Sequence, residues 1–340
     1  MKRNVLVMAM STSVIIGALT GCSRDAEHGV SGTPRIAIIV KNAGNPYNER
    51  QKQGFREAAD ELGFQPILRA PAQPTAEAQI QIIEQLITQR VAAIAVAAND
   101  YDALQPALVS AKRAGIKVLS LDSAVNAESR LVHVNQADPE RIGRTLVQAM
   151  SEMIGGQGQI AILSATSQAS NQNIWIEWMR RELDENHPEI ELVRVAYGDD
   201  LRDKSVSETE ALLLTYPDLK GIISPTTVGV AAAGRVLQDR GLAGDVHLTG
   251  LGLPSEMTAY IQSGVSERIY LWNPIDVGYL AGQTAAALVH DEITGAAGET
   301  FEAGRLGTRE IIAVGDGTEV MLGDPFEFNA DNIDEWSAVY

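Results

Sequence analysis

The chain has one cysteine in 340 residues, with five phenylalanines and four tryptophans. Cys22 alone cannot form an intrachain disulfide, so stability has to come from packed cores, which a chain of this length can build in two lobes. Positive charge is scarce too: 27 Lys and Arg stand against 44 Asp and Glu, a formal net charge of −17. Phosphate backbones are bound by clustered cations, so this balance excludes a nucleic-acid partner. Most of the acidic excess reads as solvated surface. After residue 30 there is no run of about 18 apolar residues, the length a membrane span needs. The histidines at 28, 133, 187, 247 and 290 are scattered, with no metal-ligand spacing. No Gly-x-Ser-x-Gly nucleophile turn occurs. "GLGLPS" (250–255) lacks the third glycine of a phosphate loop. "NADNIDE" (329–335) has calcium-like acidic spacing without the loop glycine. The expectation is no catalytic residue, no metal and no cofactor.

What is present begins with "MKRNVLVMAMSTSVIIGALTGC". Lys2 and Arg3, a short apolar stretch from Val5 to Leu19, and then Leu19-Thr20-Gly21-Cys22 read as an export signal over residues 1–21. The segment ends in a bacterial lipobox, whose cysteine takes a thioether-linked lipid. Loss of Lys2 and Arg3 with the signal would move the charge from −17 to −19. Residues 22–33 then form a lipidated cysteine and a polar tether. More than one acyl chain on Cys22 would anchor the protein stably to a membrane. The working part is expected outside the cytoplasm, where ATP and nicotinamide cofactors are scarce.

From Arg35 onward, short apolar runs alternate with longer amphipathic ones. "RIAIIV" (35–40) reads as a buried strand. Phe55, Ala58, Ala59 and Leu62 then mark one helical face, which Gly63 ends. Strands are predicted at 92–96, 117–121, 159–163, 221–224, 246–250 and 267–272. Helices are predicted from about 102 and over about 139–154, 172–186 and 228–240. This is the pattern of parallel βαβ units, and so many strands suit two doubly wound sheets. In such sheets ligands bind beyond the carboxyl ends of the strands. The turns "KNAGNPYN" (41–48), "DSAVN" (122–126), "SATSQASNQN" (164–173), "SPTTVG" (224–229) and "WNP" (272–274) lie at those ends. They are rich in hydroxyls and amides, groups that suit an uncharged, polyhydroxylated ligand.

The motifs "SNQNIWIEWM" (170–179), "YGDDLRDKS" (197–205), "SPTTVGV" (224–230), "TGLGLPSEM" (249–257) and "LWNPIDVGY" (271–279) carry a family likeness. The chain resembles the type I periplasmic sugar-binding proteins of ABC importers, in the rhamnose-binding and autoinducer-2-binding branch, and most of all the rhamnose binders. The resemblance covers the whole mature chain. It implies an α/β Venus-flytrap fold of two doubly wound lobes joined by a three-segment hinge near Gln136, Asn273 and Gly307. Residues 34–136 plus 274–306 would then form the N-terminal lobe, and 137–273 plus 307–340 the C-terminal one. By the same likeness Lys41 and Asp122 touch the ligand, and Asn45, Pro46 and Tyr47 match an Asn-Pro-aromatic turn whose ring stacks on sugar. Asn171 and Gln172 match an Asp-Gln pair, and Pro225 with Thr227 a Pro-x-Ala element, of the autoinducer-2 binders. Asn171 and Thr227 depart from that pattern as rhamnose binders do. Asn48 replaces a second aromatic, and Gly252 stands where ribose binders place an aspartate.

In this reading Asp122 accepts hydroxyl protons, and Asn171, Gln172 and Asn273 pair with vicinal hydroxyls. Thr226 and Thr227 add hydroxyls. Tyr47, Trp272 and Trp175 offer rings to C–H faces. Alternatives stay open: Asn171 could be a helix N-cap, and at least one of Trp175 and Trp178, three apart on one face, should pack in a core. A lysine directly after a buried strand is costly unless paired, which favours a functional partner for Lys41. The expected function is a lipid-anchored receptor for an ABC sugar permease, acting as a monomer on L-rhamnose or a related deoxy-sugar. Autoinducer-2 binding and a sugar-sensing subunit for a membrane receptor are the alternatives. A carbohydrate-acting enzyme would need two positioned carboxylates, and Asp122 has no obvious partner among these turns.

Overall fold

The computed structural model describes residues 32–340. The signal segment and Cys22 expected within residues 1–31 lie outside the described residues. The first run of elements is β1 (Arg35–Ile39), α1 (Pro46–Leu62), β2 (Gln65–Arg69), α2 (Ala76–Thr88), β3 (Ala93–Val96), α3 (Gln105–Arg113), β4 (Lys117–Leu121) and β5 (His133–Asn135). A second run follows: α4 (Pro139–Ile154), β6 (Gly158–Ser164), α5 (Ser170–Asn186), β7 (Ile190–Tyr197), α6 (Arg202–Thr215), β8 (Leu219–Ser224), α7 (Thr227–Arg240), β9 (His247–Gly250), α8 (Pro254–Gln262) and β10 (Arg268–Leu271). The chain finishes with α9 (Pro274–Val289), β11 (Thr300–Glu302), β12 (Thr308–Val314), β13 (Gly317–Met321), β14 (Phe326–Asn329) and α10 (Ile333–Ser337).

Local chemistry sets these boundaries. At α1, Asn45 accepts the Tyr47 amide and Pro46 takes the first helical position. Gly63 closes the helix at φ +74°, a conformation that costs glycine nothing. Asp138 caps α4 in the same way, accepting from the Arg141 amide ahead of Pro139. The central strands β1, β3 and β4 are buried almost throughout because helices cover both faces of their sheet.

Two sheets result. The first has the order β11-β12-β13-β5-β4-β3-β1-β2, and the second β7-β6-β8-β9. Pairing is parallel from β2 across to β13 and throughout the second sheet, and antiparallel among β11, β12 and β13. β10 pairs antiparallel with β14 and touches the second sheet through a parallel bridge from Tyr270 to Leu251. In each sheet the first strand is flanked by the next two in sequence, β1 by β2 and β3, β6 by β7 and β8. The winding direction reverses there, which opens a crevice at the strand ends. β2 lies at one margin of the first sheet and contains Pro66.

The pairing corrects one expected boundary. The family resemblance implies that residues 307–340 belong to the second lobe, yet β12 and β13 extend the first sheet, with Glu319, Val320 and Met321 beside His133, Val134 and Asn135. Gly307 sits in a tight turn between β11 and β12. The chain leaves the first sheet only after Met321, in the four residues before β14.

Helices α1 and α9 pack backbone to backbone. A Cβ on Gly278 would lie 1.8 Å from the Gln51 carbonyl oxygen, and one on Gly54 would lie 1.7 Å from that of Ile275. Neither neighbour can swing away, because both are main-chain atoms. Gly278→Ala is expected to lower stability by about 2–3 kcal/mol through overpacking, read from chemical denaturation. An unchanged midpoint would contradict this account of the α1–α9 contact.

Candidate functional site

Both crevices open onto one cavity, which has about 380 Å³ of space unfilled by protein atoms, part of it at the mouth. The first sheet supplies Lys41, two residues beyond the end of β1, with Asn45, Tyr47 and Asn48 from the start of α1 and Asp122 after β4. The second sheet supplies Asn171, Gln172 and Trp175 from α5, Pro225 to Thr227 after β8, and Asp200 after β7. Leu251, Leu271 and Trp272 complete the wall.

Asp122 is the centre of the polar contacts. It is 5% exposed and holds a left-handed backbone at φ +60°. Such a conformation is uncommon outside glycine, and aspartate and asparagine tolerate it best. One carboxylate oxygen, Oδ1, accepts from the Tyr47 hydroxyl at 3.2 Å and from Asn171 Nδ2 at 3.5 Å. Trp272 Nε1 in turn donates to the Tyr47 hydroxyl at 2.7 Å. Tyr47 is therefore committed to a chain running from Trp272 to Asp122. Its ring meets the Trp272 ring edge-on, with centroids 6.5 Å apart. Trp175 lies against Trp272 at 5.7 Å, so the two indoles form the apolar side of the cavity.

Lys41 donates to Asn171 Oδ1 across the cleft at 3.2 Å. An ammonium carries three donors, so capacity remains for a guest. Gln172 Oε1 is occupied by the Ala165 amide at 3.1 Å and the Ser164 hydroxyl at 3.3 Å, which turns the amide nitrogen toward the cavity. Asn45 is tied to its capping role through Oδ1. Asn48 is anchored on Asn42, through its main-chain oxygen at 2.9 Å and its side-chain oxygen at 2.7 Å. At the rim, outside the cavity, Ser170 Oγ donates to the Ala124 carbonyl at 3.0 Å and meets Ser123 Oγ at 3.2 Å.

Ten of the eleven expected binding residues line this one space, and Asn273 does not. Asn273 caps α9 instead, accepting from the Ile275 amide and donating to Asp276, each at 2.9 Å. Its side chain serves the helix end because Pro274 and Ile275 start a new helix directly after it. Asn171 does not cap α5, whose cap position is Ala169. Trp178 packs outside the cavity under two guanidinium groups, those of Arg181 at 4.5 Å and Arg144 at 5.2 Å. A side chain at Gly252 would run into Met257, Ile269 and Val230, and it is Leu251 that faces the cavity there. His133 is a neutral partner of Ser120, its pKa pushed down to about 3 by burial and by the Arg130 charge.

Sequence reading missed Asp200 and placed no weight on Leu251 or Leu271. Asp199 and Asp200 both take left-handed backbone, at φ +54° and +53°. Thr226 Oγ1 donates to Asp200 Oδ1. The usable signal was a pair of consecutive aspartates separated from the end of β7 by Gly198 alone, at the same end of the strand as the other binding turns.

Burial pushes the Asp122 carboxyl above its ordinary value of 3.8. Lys41, the Tyr47 hydroxyl and Asn171 oppose the rise, and Asp200 adds to it. Folding therefore favours the protonated form. The stability this group contributes is full below the unfolded value near 3.8 and is lost as pH rises through the folded one. Asp122→Asn is expected to stabilise the ligand-free protein at neutral pH, the gain shrinking as pH falls toward about 4. Thermal melts across that range check this, and equal melting temperatures at neutral pH would refute it.

A family described as the periplasmic binding protein domain matches residues 36–293. Among solved structures, an L-rhamnose-bound ABC transporter solute-binding protein from Clostridium phytofermentas is 47% identical, with a TM-score of 0.89, covering 91% of this chain and 99% of that one. LsrB from Clostridium saccharobutylicum, solved with AI-2, is 22% identical at a TM-score of 0.84, covering 89% of this chain and 99% of that one, a likeness of fold. The D-apiose import binding protein of Actinobacillus succinogenes is 26% identical over 219 residues, 63% of this chain and 68% of that protein. The chain belongs to the periplasmic binding protein family, whose members bind solutes outside the cytoplasm and do not transform them.

Proposed function

We propose that this protein is the solute receptor of an ABC sugar importer and that its ligand is L-rhamnose or a related deoxy-hexose. The observation that carries the reading is the composition of the cavity, two carboxylates, four amides and an ammonium facing two indoles, in a chain 47% identical to a rhamnose-bound relative over nearly all of that relative's length. A deoxy-sugar fits such a lining. Its hydroxyls meet Asp122, Asn171, Gln172 and Lys41, and its methyl group and C–H faces meet Trp175 and Trp272. A ligand short of one hydroxyl would leave a buried partner unpaired, at about 1–3 kcal/mol each. Asn171 in place of an aspartate favours this reading over autoinducer-2.

The mechanism is a shift in population. Asp122 and Lys41 belong to one lobe, and Asn171, Gln172 and Thr227 to the other, so a ligand touches all of them only when the lobes are together. The released sugar would pass to a membrane permease that docks the closed form. Lipidation of Cys22 would hold the receptor, as a monomer, at the membrane surface.

Titration calorimetry is expected to show L-rhamnose binding and no ribose binding. Absence of rhamnose binding at millimolar sugar would remove the ligand assignment. Ser170→Ala deletes a rim contact between the lobes without touching the cavity. It should weaken every bound sugar alike, by about threefold to tenfold, and a sugar-selective effect would contradict the rim role.

A further inference from the structure

The cavity holds two carboxylates, not one. Asp122 comes from the first lobe and Asp200 from the second, and Lys41 is the only cation among the lining residues. The formal charge of the lining is therefore −1. Asp200 is a half-buried loop acid with a fixed orientation. Its backbone is held left-handed together with that of Asp199, and the Thr226 hydroxyl fixes its Oδ1. Asp199, by contrast, turns away to pair with Lys204. Two neighbours with the same side chain and nearly the same backbone thus take opposite roles, and only Asp200 faces the guest.

Placing these carboxylates on opposite jaws has a mechanical effect. Bringing the lobes together over an empty cavity moves two negative charges toward one another as water is withdrawn, and lower polarity strengthens their repulsion. Lys41 does not cancel both, because it lies on the Asp122 side and donates to Asn171. A neutral ligand with hydroxyl donors at both ends relieves the repulsion by donating to each carboxylate. A ligand carrying its own carboxylate makes it worse.

We propose that Asp200 is a specificity-determining residue that makes closure depend on a neutral ligand with hydroxyl donors on two sides, and that excludes sugar acids. The proposal rests on the sugar-receptor reading above for its choice of ligand, though not for its effect on the empty protein. The variant that tests it is Asp200→Asn, which keeps the shape and tolerates left-handed backbone. Asp199→Asn is the control, since Asp199 does not line the cavity.

Two measurements are made on wild type and both variants. Calorimetry with L-rhamnose and with its aldonic acid should show the neutral-to-acid affinity ratio falling at least about tenfold in Asp200→Asn, with Asp199→Asn unchanged. Small-angle scattering without ligand should show Asp200→Asn with a smaller radius of gyration than wild type. An unchanged ratio, or an unchanged ligand-free profile, overturns the proposal. The scattering arm needs no ligand. A wild type that binds none of the sugars would therefore sink the sugar-receptor reading, whereas a ligand-free Asp200→Asn as open as wild type would sink this one.

Discussion

The site depends on orienting one buried carboxylate, Asp122, where the two lobes meet. Burial disfavours an ionised Asp122, and the surrounding contacts are arranged against that penalty. Tyr47 donates to it from the start of α1, Trp272 holds Tyr47 from the segment between β10 and α9, and Asn171 reaches it from the opposite lobe. The left-handed backbone after β4 aims the group inward. Three separate stretches of chain thus converge on a single acidic side chain, and the two lobes share it only when they are together.

This convergence explains why α1 and α9 pack so closely. Each begins beside cavity residues, α1 at Pro46 between Asn45 and Tyr47, and α9 at Pro274, two residues after Trp272. Main-chain contact between them, through Gly54 and Gly278, leaves little freedom in the distance between their first turns. The hydrogen bond from Trp272 to Tyr47, at 2.7 Å, joins the two starts. Arg305 reinforces the pair from the side, bridging Glu57 on α1 and Asp276 on α9 while lying over the Tyr279 ring.

Much of this was legible in the residues. Fully buried strands such as "RIAII" and "AIAV" announce themselves as short apolar runs, and the polar turns behind them had to lie at the strand ends. Other elements carry no such signature. β2 and β7 are half-exposed and mix charges with apolar residues, so neither a continuous apolar run nor strict alternation marks them. The assignment of β12 and β13 failed for a different reason. Their hairpin around Gly315 reads clearly as strand–turn–strand, but nothing local says which sheet it joins, because the partner β5 is more than 180 residues away in sequence. Asn273 and Asp200 show the same limit at the site. A polar residue after a strand can turn toward a guest or toward its own backbone, and the choice depends on neighbours that the sequence does not place. The likeness to known sugar binders supplied most of the cavity residues but gave no role to Asp200, although it lies within the motif "YGDDLRDKS" (197–205).

The margins of the large sheet bear on how the chain avoids pairing with itself. One margin is β2, where Pro66 removes a main-chain donor. The opposite margin ends in β11, only three residues long. Neither offers a long, regular ladder to a strand from another molecule. These blunted borders disfavour edge-to-edge pairing between copies of the chain.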